Sequence, residues 1–153
     1  MAVDDASRLL SPLGEHQAVI AARTLHRLQV IPQGILCSPL TRAQQTARIV
    51  MKEIGLSDLT TTEYLTPESD PRQIVQELNK LTSSSVLLVG HLPNIQVLAS
   101  LLVTGTRHAG IRVSTGTLLE IESTVPLEYG NGVMNWLLSY EQMKEMSAGS
   151  THP

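Results

Sequence analysis

Ser85-Val-Leu-Leu-Val-Gly90, followed at once by His91-Leu-Pro-Asn94, is the stretch whose reading decides the fold. Four consecutive apolar residues leave neither face of a strand polar. Such a strand needs cover on both sides, which is the position of a central strand in a parallel sheet. The turn after it leads to Pro93, from which Ile95, Leu98, Ala99 and Leu102 recur at helical spacing. Strand, turn and helix in that order form one step of an alternating α/β chain.

Working outward, the same step occurs upstream. Gly34-Ile-Leu-Cys37 reads as a short buried strand, and the stretch from Pro39 to Ile54 as a helix. In that helix Ala43, Ala47, Val50 and Ile54 line one face, and Gly55 supplies a stop. An earlier helix spans Pro12 to Gln29, with Leu13, Ile20, Ala21, Leu25 and Leu28 on its apolar side. A weak strand falls near residues 60–64. Asp70-Pro71 then starts a helix, with the carboxylate as cap and the proline where no N–H is needed. Past Gly110 the pattern changes to two strands, Gly116–Glu122 and Gly132–Ser139, joined by a Pro- and Gly-containing loop. The order predicts a three-layer αβα fold with a mostly parallel sheet and an antiparallel element near the C-terminus. One domain is expected over residues 1–146, with a flexible tail over 147–153.

Composition narrows the function classes. The chain has 153 residues, 42% hydrophobic and 16% charged, with a net charge of −3. That balance suits a globular domain and gives no basic footprint for nucleic acid or an anionic membrane. No apolar run reaches the roughly 18 residues of a membrane span. The lone Cys37 excludes an internal disulfide, and no Cys/His group has zinc spacing. A cytoplasmic protein without metal or cofactor is expected.

Ligands of open α/β sheets bind beyond the carboxyl ends of the strands. Two strands here end in residues suited to an anion. Arg42 lies in the first turn of its helix, where the macrodipole disfavours a cation unless a bound anion reverses the sign. Taken alone, its position favours an exposed arginine paired with a surface carboxylate. His91 comes directly after its strand, and alone it is equally a structural histidine. Projected from one sheet edge, the two together predict a phosphoryl ligand. His16 and His26 fall outside the apolar stripe of their helix, and Glu120/Glu122 share a strand face that reads as solvated. A cysteine phosphatase is the competing chemistry. It needs a phosphate-cradling loop between thiolate and arginine, whereas Cys37 and Arg42 are separated by Ser-Pro-Leu-Thr, without glycine.

Ser38-Pro-Leu-Thr-Arg42-Ala-Gln-Gln-Thr46-Ala47 resembles the phosphate-binding arginine motif of the histidine phosphatase superfamily, whose fold is phosphoglycerate mutase-like. Val86-Leu-Leu-Val-Gly-His91 with Leu-Pro-Asn94 resembles its second catalytic histidine. Leu65-Thr-Pro67 and Asn131-Gly-Val-Met-Asn-Trp136 are similar to the SixA-type phosphohistidine phosphatases within it. The resemblance implies that Arg42 and His91 are catalytic and that Arg42, with Ser38, binds phosphate. It implies a reaction in which a neutral histidine attacks phosphorus, two arginines and a second histidine hold the equatorial oxygens, and water releases phosphate without a metal. The implied partner is a phosphohistidine-bearing protein, which points to signalling, or a small phosphorylated substrate.

The nucleophile of that family lies in an Arg-His-Gly at the end of the first strand, and these 153 residues contain none. Arg107-His108-Ala109 is the nearest match and comes far too late. Met1-Ala2-Val3-Asp4 and then Leu9-Leu10-Ser11-Pro12-Leu13-Gly14 are similar to the family's continuation past that motif. Arg8 stands near where the SixA type carries a basic residue. This leaves two expectations, with a plain α/β scaffold or regulatory domain as a third, unrelated reading. Either a strand and its motif, ~10–15 residues, precede Met1, or the chain binds phosphorylated partners without turnover; as the sequence stands it is expected to be inactive. Glu63 and Glu68 are the nearest carboxylates by region. The lack of a firm general acid favours a phosphoramidate, whose leaving imidazole needs little help, over a phosphoester.

Overall fold

The computed structural model describes residues 4–149. Three strands, β1 (Gly34–Cys37), β2 (Leu59–Thr61) and β3 (Val86–Val89), form a parallel sheet in the order β2-β1-β3. Cys37 lies opposite Thr61 on one side and Val89 on the other. A separate antiparallel pair joins β4 (Leu118–Glu122) to β5 (Val133–Leu138), with an irregularity at Glu120/Ile121. Five helices complete the chain: α1 (Pro12–Arg27), α2 (Thr41–Ile54), α3 (Pro71–Leu78), α4 (Asn94–Thr104) and α5 (Tyr140–Ala148). Among the described residues, no helix is long and apolar enough to cross a membrane.

The pleat of β1 explains the layers. Successive side chains of a strand point to opposite faces. Ile35 and Cys37 accordingly pack with Ile20 and Leu25 of α1, Ala47 and Val50 of α2, and Met143 of α5. Leu36 packs the other way, with Ile74 and Val75 of α3 and Leu98 and Leu102 of α4. Helices on both faces of a parallel sheet give the three-layer αβα arrangement that the alternation predicts.

Local chemistry sets the helix ends. The Ser11 hydroxyl accepts from the Gly14 N–H at 3.1 Å ahead of Pro12, and the Asp70 carboxylate accepts from the Arg72 N–H at 3.0 Å ahead of Pro71. Gly55 and Gly105 end α2 and α4 in the left-handed conformation, with φ of 77° in both. α5 is an element that hydrophobic patterning overlooks. Ser139 and Gln142 close it with a reciprocal capping box, and the Ser-x-x-Gln spacing announces it in the sequence. Ser147 and Ala148, expected from the sequence to lie in a flexible tail, belong to this helix or its last turn; residues 150–153 lie outside the described residues.

One placement differs from the sequence reading. Among the described residues β3, read as central, lies at the edge of its sheet, and all four of its residues are half-buried. β1 holds the centre instead. The chain connects β3 to β4 through α4, but β4 pairs only with β5 among the described residues.

Gly132 marks the closest approach between the β4–β5 connection and α4. A Cβ built there would lie 2.9 Å from the Leu102 carbonyl oxygen and 3.2 Å from its carbon. Backbone cannot rotate away as a side-chain tip does. Gly132→Ala is expected to cost about 1–3 kcal/mol, read as a lower urea midpoint at unchanged slope. A loss below about half a kcal/mol would mean that this contact relaxes freely.

Candidate active site

The carboxyl ends of β1 and β3 carry the residues singled out by the sequence. Ser38 closes β1: its N–H donates to the Val89 carbonyl at 3.0 Å, stitching the two strand ends together. Its fully buried hydroxyl accepts from the Leu40 N–H at 3.2 Å and so shapes the turn into α2. Two residues later the chain delivers Arg42 in the first turn of that helix.

Arg42 does not point freely into solvent; its side chain is 21% exposed. One guanidinium nitrogen, Nη1, donates to the Asp5 carbonyl at 2.9 Å, and Nη2 reaches the Asp5 carboxylate at 3.4 Å. The same carboxylate pairs with Arg8 at 3.0 Å. Arg8 is thus tied to the site through Asp5. An anionic group is already satisfying Arg42, and it is the exposed carboxylate of a short loop. A second anchor fixes that loop, since the Leu10 N–H donates to Gln45 Oε1 at 2.7 Å. Gln45 lies one turn along α2 from Arg42, so the arginine motif holds the loop at two points.

His91 comes just after β3 and faces the same region. The residue is half-buried, and among the described residues its buried Nε2 has no hydrogen-bond partner. Burial pushes its pKa below the ordinary histidine value and the Arg42 charge pushes it further the same way, while Asp5 and Glu68 oppose. The result is a neutral imidazole at neutral pH with an unsatisfied buried nitrogen, an arrangement that is costly without a partner.

Asn94, which the sequence places in the His91 motif, fixes the surrounding loop through contacts that no sequence pattern shows. Its Nδ2 donates to the carbonyls of Thr66, Pro67 and Ser69 at 2.9, 3.2 and 3.1 Å. This clamp holds the Glu68 loop against the start of α4, which explains how Glu68 acts on His91. The partners lie 25–28 residues away in sequence, so no local signal could reveal them.

Other residues separate from the site. Cys37 is fully buried in the core, and burial raises its thiol pKa despite the Arg48 charge. It is a packing residue and no nucleophile, consistent with the rejection of the cysteine chemistry. His16 accepts from or donates to the Tyr140 hydroxyl at 2.7 Å with the rings edge to face, so it bridges α1 and α5. Glu120 and Glu122 both accept from the Asn135 amide, at 2.8 and 3.3 Å, on the surface of the β4–β5 pair.

Comparison with known proteins identifies the family and the fold. The model of the histidine phosphatase superfamily, branch 1, matches residues 4–66. The chain is 30% identical over 151 residues to the phosphohistidine phosphatase SixA of Escherichia coli K12, covering 96% of this chain and 91% of that protein. Its structure is similar to that of a protein histidine phosphatase SixA complexed with tungstate, with a TM-score of 0.81 and 29% identity over 92% of this chain and 89% of that one. A putative SixA from Agrobacterium tumefaciens shares the fold, with a TM-score of 0.75 at 20% identity over 90% of this chain and 87% of that one. Arg42 and the chain entering α1 fall inside the matched segment, and the parallel sheet with its separate antiparallel pair agrees with the neighbours' architecture. The chain belongs to the histidine phosphatase superfamily and is SixA-like within it.

Proposed function

We propose that this protein handles phosphohistidine on proteins, with Arg42 and His91 gripping the phosphoryl group and Ser38 shaping the turn that presents it. One observation carries the reading: the buried, unpartnered Nε2 of His91 beside the Arg42 guanidinium. A phosphoryl oxygen satisfies both at once. It gives Nε2 a hydrogen-bond partner and replaces the Asp5 carboxylate on Arg42. Tungstate, an oxyanion, is bound in the SixA neighbour.

The division of labour rests on charge. A transferring phosphoryl group carries negative charge on its equatorial oxygens, and a positioned guanidinium and imidazole stabilise it as charge-assisted donors. As phosphate approaches, its charge outweighs the Arg42 effect and His91 takes up a proton, becoming a donor. Among the described residues no other histidine stands at the site: His16 is engaged with Tyr140, and His26 and His108 are exposed. The described residues thus bind the phosphoryl group without offering the attacking histidine of the superfamily. Glu63 and Glu68 are both exposed, which suits a leaving imidazole better than an alkoxide. The expected setting is a cytoplasmic signalling system.

Incubation of the chain with a protein carrying 32P-labelled phosphohistidine tests this reading. Retention of the labelled protein, displaced by tungstate and without release of inorganic phosphate, is expected. Steady release of phosphate by these residues alone would overturn the assignment of an absent nucleophile. Failure to retain the labelled protein would overturn the substrate class.

A further inference from the structure

Asp5 meets Arg42 with two different oxygens, and the two contacts differ in strength. The backbone carbonyl accepts from Nη1 at 2.9 Å, inside the ordinary range for such a bond. The carboxylate reaches Nη2 only at 3.4 Å, beyond that range. Its other oxygen pairs with Arg8 at 3.0 Å, where the two side chains are 62% and 58% exposed. Ion pairs that long or that exposed contribute little. One half of the Arg42 fork is therefore anchored, and the other half is held loosely.

The backbone that carries Asp5 is held without the help of its carboxylate. Asp5–Ser7 form a single 3-10 turn, begun by the Asp4 carboxylate, which accepts from the Ala6 N–H at 3.4 Å. The Ser7 N–H donates to the Asp4 carbonyl at 3.0 Å, and the Arg8 N–H to the Asp5 carbonyl at 3.3 Å. The Leu10–Gln45 bond pins the far end of the loop to α2. Releasing the carboxylate thus needs rotation about its own side-chain bonds and no movement of the backbone. Exposed side chains make such rotations in picoseconds to nanoseconds.

A carboxylate, like a phosphoryl group, presents acceptor oxygens to a guanidinium fork. The Asp5 oxygens face two guanidiniums, and the same charge reaches His91. Asp5 therefore supplies, from within the chain, the kind of charge that Arg42 attracts. A monoanion such as chloride gains no more from Arg42 than this carboxylate already does. A phosphoryl dianion gains more, because it carries more charge and also meets the unpartnered Nε2 of His91.

We propose that the Asp5 carboxylate is a built-in competitor at the phosphoryl site: it holds the Nη2 half of Arg42, rotates away when a phosphoryl group enters, and keeps simple monoanions from filling the site. The Asp5 carbonyl stays on Nη1 throughout and keeps the guanidinium in place. The inference rests on the reading of Arg42 as a phosphoryl-binding arginine and adds the residue that sets how tightly the site binds.

Asp5→Asn removes the charge and keeps the side-chain shape and the carbonyl anchor. It is expected to bind tungstate about three- to tenfold more tightly than the wild-type chain, the range set by two exposed ion pairs. Chloride should then compete for Arg42, so tungstate affinity should fall more steeply with added sodium chloride in Asp5→Asn than in the wild type. Asp4→Asn is the control. It changes the net charge equally, but the Asp4 carboxylate bonds the Ala6 N–H and, among the described residues, makes no contact with Arg42. Its affinity is expected to stay within about twofold of the wild type, with the wild-type salt dependence. Isothermal titration calorimetry over a salt series reads all three proteins. Unchanged or weaker binding by Asp5→Asn would overturn the proposal and make Asp5 a support that aligns Arg42. An equal gain from Asp4→Asn would overturn it too, since net charge alone would account for the effect. The two readings fail separately. If Arg42→Ala leaves tungstate affinity unchanged, the phosphoryl reading is wrong; if Arg42→Ala loses affinity and Asp5→Asn gains none, only the competitor is.

Discussion

Arg42→Ala is expected to weaken binding of tungstate or inorganic phosphate by about tenfold to a hundredfold, since a hydrogen bond to a charged group contributes about 1.5–3 kcal/mol. Stability should barely move. The partners that Arg42 would lose are the Asp5 carbonyl and an exposed Asp5 carboxylate, and such surface pairs contribute about 0–1 kcal/mol. A large loss of affinity with a nearly unchanged unfolding midpoint separates a ligand-binding arginine from a structural one. The variant has a second signature. Arg42 holds the His91 pKa down, so its removal should raise that pKa in the free protein. Isothermal titration calorimetry reads the first effect and histidine NMR the second. Unchanged affinity would return Arg42 to the role of a surface ion pair.

The second large effect concerns the scaffold. Ile35 sits mid-strand in β1, 2% exposed, opposite Leu59 and Leu87 in its two neighbours. Its side chain belongs to the cluster that joins α1, α2 and α5 to the sheet. Truncating a buried isoleucine to alanine costs about 2–5 kcal/mol, transfer and cavity terms together. Total stabilities of about 5–15 kcal/mol make that a substantial fraction. Ile35→Ala should therefore lower the urea midpoint more than any substitution in the Asp4–Ser11 loop. A loss under about 1 kcal/mol would mean that β1 is not the spine of the fold.

Much of this architecture was legible because its causes are local. Apolar runs at β1 and β3, the helical stripes of α2 and α4, and the Asp70-Pro71 start all depend on residues adjacent in sequence. α5 also carried a local signal, the Ser139/Gln142 capping box, outweighed by the polar residues around it. The placement of β3 at an edge was not legible, because sheet position depends on which strands pair, a long-range property. The site divides in the same way. Arg42 and His91 sit directly beyond strand ends, so chain order places them. Their environment is not placed so, since Asp5 meets Arg42 across 37 residues and Gln45 meets Leu10 across 35. The carboxylate occupying Arg42 and the amide clamp of Asn94 belong to tertiary structure alone. Ser38 is the intermediate case: its position was legible, but its acceptance of the Leu40 N–H was not.

The central claim is that Arg42 and His91 form one phosphoryl-binding unit, and the protonation of His91 tests it most directly. In the free protein, burial and Arg42 keep the imidazole pKa below its ordinary value of 6.5. A bound oxyanion favours the protonated ring, so the complex must titrate at higher pH than the free protein. Between the two pKa values binding takes up a proton, and affinity should rise by up to about tenfold for each unit that pH falls across that window. Above the bound-state value the dependence on His91 should vanish. Tracking the His91 ring resonances by NMR from acid to neutral pH, with and without tungstate, gives both quantities. The account predicts a depressed pKa in the free protein and an upward shift in the complex that is diminished in Arg42→Ala. Tungstate binding that leaves the His91 titration unmoved would contradict it.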